Sequence, residues 1–113
     1  MNKREELILK YVAQLEEANV KVDHDLLTKV TVGLGPSIYN ADAAVVASSD
    51  PDELKTVKEN YLIKKLGLED GPHLDEAIDK VIDTLGRSNR NKYRANVYYL
   101  LCKEMGKESI YDK

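Results

Sequence analysis

The chain has no tryptophan, no phenylalanine and a single cysteine among its 113 residues. One cysteine, Cys102, excludes an internal disulfide. Two histidines, His24 and His73, stand far from it and from each other, so no zinc-ligand spacing exists. No apolar run approaches the ~20 residues that a membrane-spanning helix needs. The start, Met1-Asn2-Lys3-Arg4-Glu5-Glu6, lacks the apolar stretch of a secretory signal. These absences predict a cytoplasmic protein with no metal and no cofactor. A net charge of −3 gives no global attraction to nucleic acid. With 42% hydrophobic and 33% charged residues, the chain is predicted to be globular rather than disordered.

The glycines and prolines are few and sit between amphipathic segments. Gly33, Gly35 and Pro36 close one block, Pro51 opens another, Gly67, Gly71 and Pro72 separate two more, and Gly86 and Gly106 end the last two. Gly fits the left-handed stop after a helix and Pro fits its first turn. The prediction is an all-α, single-domain bundle of about six helices over residues 1–113, with residues 107–113 as a frayed tail.

Apolar spacing fills in the blocks. Leu7, Ile8, Tyr11, Val12, Leu15 and Ala18 line one face of the first. Asp23 or Asp25 caps the second, with Leu26, Leu27, Val30 and Leu34 inward; a short strand from Val30 to Leu34 is its rival. The alanine-rich third block, Ile38 to Ser48, is small enough to lie inside the bundle. Asp50-Pro51-Asp52-Glu53 is a helix start in which the acid caps and Pro takes the first position. That fourth helix has a broken stripe, because Lys58 and Lys65 fall near Leu54, Val57, Tyr61, Leu62 and Leu66. The fifth, Leu74 to Leu85, is clean. Ser88 is the expected cap of a sixth helix reaching Met105. It is apolar around most of its circumference, so it is expected at the centre, with a narrow wet face of Lys92, Asn96, Tyr99 and Lys103.

Charge is segregated along the chain. Between Leu68 and Asp83 there are six acids and one base; between Leu85 and Lys103 there are five bases and no acid. The two segments either attract each other or leave a basic face for a partner. Wound at 100° per residue from Ser88, the sixth helix turns Arg90 and Arg94 toward the bundle, with Asn91 at the margin. A buried guanidinium needs a partner, and the positive end of the helix dipole does not supply one. That partner is either a carboxylate (Asp42, Asp83 or Glu76) or an exogenous anion. The candidate binding residues are therefore Arg87, Asn89, Arg90, Asn91, Lys92 and Arg94, with Tyr99 as an exposed aromatic beside them.

No acid–base pair, nucleophile or glycine-rich phosphate loop stands out. Gly33-Leu34-Gly35-Pro36-Ser37 reads as a helix stop, Ser48-Ser49 as capping residues, and Cys102 as buried and inert. Asp42 is the one acid with reason to face inward, so the residues lean against an enzyme without excluding one. The residues favour a binding module for a protein partner or a second copy of the chain. The alternative is a binder of an anion, a phosphate ligand or nucleic acid through the basic start of the last helix; nucleic acid is disfavoured, and no membrane is expected.

Three runs carry a resemblance. Gly35-Pro36-Ser37-Ile38-Tyr39-Asn40, Leu62 through Leu68, and Ser88-Asn89-Arg90-Asn91-Lys92-Tyr93-Arg94 with Tyr98-Tyr99-Leu100-Leu101 are similar to the domain-of-unknown-function family DUF2853. The resemblance implies a single all-helical domain of bacterial origin. It implies no activity and transfers no catalytic residue.

Overall fold

Helix starts and stops follow local chemistry. The structure, a computed structural model, describes residues 2–112. Helix α1 (Lys3–Glu17) is capped by Asn2, whose side chain accepts from the Glu5 amide. It ends without glycine: Asn19 takes φ 62°, and the Val20 amide returns to the Leu15 carbonyl at 3.0 Å. Asn tolerates the left-handed region better than most residues, so it closes the helix as Gly would. Helix α2 (His24–Leu34) is capped by Asp23, which accepts from the Leu26 amide. No strand forms at residues 30–34.

The third block departs from expectation. It divides into a 3-10 turn (Gly35–Tyr39), one α-turn, α3 (Ala41–Ala44), and extended residues after it. Asn40 restarts the winding by accepting from Asp42 and Ala43 amides. Val45 then leaves the helix to pair antiparallel with Tyr93. The β-branched pair Val45-Val46 suits that extended geometry. The alanines do not enter the core: Ala41 is exposed and Ala43 and Ala44 are half-buried, while Ile38 and Val46 are buried.

Helix α4 (Pro51–Val57) starts at the Asp50 cap and continues as π-helix through Lys58–Lys65. The broken stripe has its cause here. Winding with i→i+5 bonds places residues five apart on one face, and Val57 with Leu62, and Tyr61 with Leu66, are all buried. Helix α5 (Pro72–Leu85) buries all six predicted inward residues, Leu74, Ala77, Ile78, Val81, Ile82 and Leu85.

Helix α6 (Arg94–Glu104) buries seven of its eleven residues and touches α1, α2, α3 and α5. It is the central helix, and the wet face predicted for it closes. Lys92, Asn96 and Tyr99 are fully buried, and Lys103 alone of that set is exposed. The expected fraying gives way over Glu108–Tyr111 to a 3-10 turn, whose Ile110 and Tyr111 pack against the core. Lys113 lies outside the described residues. Among the described residues no helix is long and apolar enough to cross a membrane.

Candidate functional site

The N-cap of α6 is Tyr93, five residues later than Ser88, and this shift decides the site. In a helix capped at Ser88, the Asn89 carbonyl would accept from the Tyr93 amide. Instead that carbonyl takes the Lys92 ammonium, and the Tyr93 amide donates to Gln14 Oε1 at 3.3 Å. Asn89 Oδ1 accepts from the Asn91 amide at 3.0 Å, the Lys92 carbonyl accepts from the Val46 amide at 2.8 Å, and Gln14 Nε2 donates to the Asn91 carbonyl at 2.6 Å. Residues 86–93 are therefore a loop in which the Asn89, Asn91 and Lys92 carbonyls and the Asn91 and Tyr93 amides are already engaged. Gly86, at φ 94°, stops α5 and turns the chain into it.

The sequence-predicted cluster separates into three groups. Arg94 belongs to the scaffold. Its guanidinium donates to the Ala43 carbonyl (2.6 Å), the Val45 carbonyl (3.3 Å), the Tyr98 hydroxyl (3.3 Å) and the Glu53 carboxylate. Burial alone would lower its pKa, but Glu53 and Tyr98 outweigh it and raise the value. The partner is an intramolecular carboxylate, though Glu53 rather than Asp42, Asp83 or Glu76. Tyr99 also belongs to the scaffold: it is buried, not exposed, and its hydroxyl accepts from the Asp23 amide at 2.8 Å, joining α6 to the start of α2. Beside it Asn96 Nδ2 donates to the Tyr11 carbonyl (3.0 Å) and Gln14 Oε1 (2.9 Å), while Asn96 Oδ1 is buried without a partner.

Arg87, Asn89 and Arg90, together with the expected cap residue Ser88, form the second group. With Ala47, Ser48 and Ser49 they line a surface pocket of about 600 Å³ between two loops. No carboxylate lines it. Arg90 is exposed rather than turned into the bundle, and among the described residues it makes no ion pair. The winding that pointed it inward fails because residue 90 precedes the helix. Arg87 reaches back to α5, donating to Asp83 at 2.5 Å and Asp79 at 2.8 Å, and these carboxylates raise its pKa. The oppositely charged segments thus meet within the fold at Arg87, and Arg90 is left over.

Lys92 and Asn91 complete the set. Asn91 is exposed beyond the pocket wall. Lys92 is fully buried and has no carboxylate within 4.0 Å among the described residues. Its ammonium donates to the carbonyls of Arg87 (3.4 Å) and Asn89 and to Ser48 Oγ at 3.1 Å. Burial lowers its pKa, and the neighbouring Arg87 charge lowers it further. A family model described as "Protein of unknown function (DUF2853)" matches residues 10–109, a span that includes both loops and the helices that hold them. The chain belongs to the DUF2853 family. No curated protein matches the chain.

The DUF2853 domain thus holds a buried cation behind a hydroxyl-lined pocket, with a free guanidinium at its edge. Ser48 and Ser49 escaped the sequence reading, since a Ser pair before an Asp-Pro helix start reads as capping. Only the fold brings residue 48 to residue 92. A second groove, of about 480 Å³, lies between α4 with its π-helical extension and α5 and has the opposite character, with Glu59, Asp70, Asp75, Glu76 and Asp79 in its wall. There Lys58 already bridges Asp70 (2.9 Å) and Asp75 (3.2 Å).

Proposed function

We propose that this chain is a small non-catalytic binding module, acting in the cytoplasm, whose ligand is an anion held between residues 47–49 and 87–90. One observation carries this reading: the Lys92 ammonium is buried with no carboxylate and spends one of its bonds on Ser48, a pocket-lining hydroxyl. A buried charge is costly unless compensated. Because Ser48 Oγ accepts from Lys92, its own proton is free to point into the pocket. An anion there would receive that hydroxyl and the Arg90 guanidinium, and would offset the field of Lys92.

The reading of a protein-interaction module has less support. Leu9, Val32 and Tyr39 are more than half-exposed or nearly so, but they lie on three different elements. Single exposed apolar side chains are ordinary on a protein surface.

Thermal melts with and without millimolar phosphate and sulfate test the proposal. A ligand that binds only the folded chain stabilises it by mass action. The expected result is a rise of several degrees for the wild type and none for Arg90→Ala. No shift with either anion, in protein that melts cooperatively, would remove the reading.

A further inference from the structure

Resting on the anion reading above, the pocket also narrows the class of ligand. We infer that it takes a phosphate monoester on a small hydroxyl-rich body, such as a sugar or polyol phosphate, rather than a nucleotide or a nucleic-acid strand. Three features of the pocket argue this.

Charge comes first. Arg87 is engaged by Asp79 and Asp83, so two cations remain without a carboxylate, Arg90 at the rim and Lys92 behind Ser48. Both attract an anion, and a phosphate monoester, with close to two negative charges above its second pKa of about 6, is drawn more strongly than a singly charged ester. Two cations do not complement a strand, which needs a run of free cations along a groove.

The lining comes second. Apart from Ala47 it is serine, asparagine and arginine, and no aromatic ring borders it. Base recognition relies on aromatic or guanidinium faces for stacking. Of the two lining arginines, Arg87 is held by Asp79 and Asp83, and Arg90 is the one that meets the anion in this reading. Hydroxyls of Ser48, Ser49 and Ser88 instead suit a ligand that itself carries hydroxyls.

Size is the third. The pocket is open to the surface and, at about 600 Å³, has room for more than a phosphate group. A bare phosphate would leave most of that volume to water.

Titration calorimetry of the full chain at pH 7.5 decides the matter with four probes: glucose 6-phosphate, inorganic phosphate, glucose 6-sulfate and a single-stranded DNA 12-mer. The sulfate ester copies the phosphate in shape but carries one charge. We expect glucose 6-phosphate to bind at least tenfold more tightly than inorganic phosphate and at least tenfold more tightly than the sulfate ester. Its affinity should fall at least tenfold in Arg90→Ala and in Ser48→Ala, both of which should retain wild-type circular dichroism. Equal binding of the two esters overturns the dianion claim, and equal binding of glucose 6-phosphate and inorganic phosphate overturns the hydroxyl-rich body. Tightest binding by the 12-mer, weakening steeply with salt, overturns the ligand class while leaving the anion reading intact. Heat from none of the four removes both.

Discussion

Arg94, in the first turn of α6, donates to the Glu53 carboxylate at the start of α4, and both side chains are mostly shielded from solvent. The same guanidinium takes two carbonyls from residues 43 and 45, so one side chain fixes the central helix, the α4 start and the extended segment between them. Removing one partner of such a pair leaves the other charge buried and unmatched. Arg94→Ala or Glu53→Ala should therefore destabilise by about 2–4 kcal/mol, toward the low end for a buried pair because a fraction of each side chain meets water. Arg90→Ala, on the surface four residues earlier, should cost less than about 0.5 kcal/mol. Urea denaturation of the three variants tests the contrast. Equal losses at positions 90 and 94 would contradict the placement of the helix start. The double variant Arg94→Met/Glu53→Leu should lose less than the sum of the two single ones, since no charge is left alone.

The Lys92 ammonium gives stability a pH dependence of definite sign. Its pKa lies below the ordinary 10.5, first through burial and then through Arg87. Between the lowered value and 10.5 the folded chain binds fewer protons than the unfolded one, so folding gains stability as pH rises through that window. Lys92→Met has no such group. The wild type should therefore gain stability relative to Lys92→Met as pH rises from 7 toward 10.5, read as the difference in unfolding free energy at each pH. A constant difference across that range would mean that the ammonium is solvated.

Much of this fold is legible from spacing and punctuation, and the misses have physical causes. Helix α5 reads correctly because its apolar stripe is unbroken and Gly86 ends it. Helix α1 reads correctly apart from its stop, where Asn19 replaces glycine. The π-winding of residues 58–65 leaves no local mark beyond a stripe that Lys58 and Lys65 interrupt. The largest miss, the start of α6, comes from long-range competitors for backbone groups: Gln14, Val46 and the side chain of Lys92. That one displacement moved Arg90 from the interior to the surface. Asn96 and Tyr99 were misjudged for another reason. A helix packed against four others keeps only its C-terminal Lys103 and Glu104 exposed, and polar residues along the rest of it must find partners inside.

Cys102 lies fully buried on α6, and burial pushes its thiol up to about 11, against a smaller downward pull from the Tyr61 hydroxyl. Thiolate is the reactive form, so both access and ionisation protect this side chain. In native buffer at pH 8, Ellman's reagent should leave Cys102 unmodified over hours and should titrate one thiol at once in 6 M urea. Prompt reaction of the native protein would show that the α6 core opens far more readily than its packing implies.

The tyrosines set the opposite limit at high pH. Burial pushes Tyr11 up to about 12, with further raising from Tyr93 and Tyr39. Tyr61 stacks on Tyr98 with ring centroids 4.0 Å apart, and its hydroxyl bonds that of Tyr111 at 2.9 Å; burial and that bond raise Tyr61 further still. A raised acid binds its proton more tightly when folded, so its contribution is complete below pH 10 and is lost as pH climbs toward the folded value. For Tyr11 a span of about two pH units corresponds to at most about 2–3 kcal/mol. The Lys92 gain ends by pH 10.5, and the raised Cys102 thiol adds to the loss from about pH 9, so wild-type stability should fall above pH 10.5. Tyr11→Phe should fall less steeply between pH 10 and 12 than the wild type, in urea denaturation read by circular dichroism. Tyrosinate absorbance near 295 nm supplies an independent check, because the buried rings should titrate only as the chain unfolds. If all tyrosinate absorbance instead develops near pH 10 while the circular dichroism stays native, water reaches these rings in the folded chain, and the aromatic packing of α1, α6 and the C-terminal turn is looser than described.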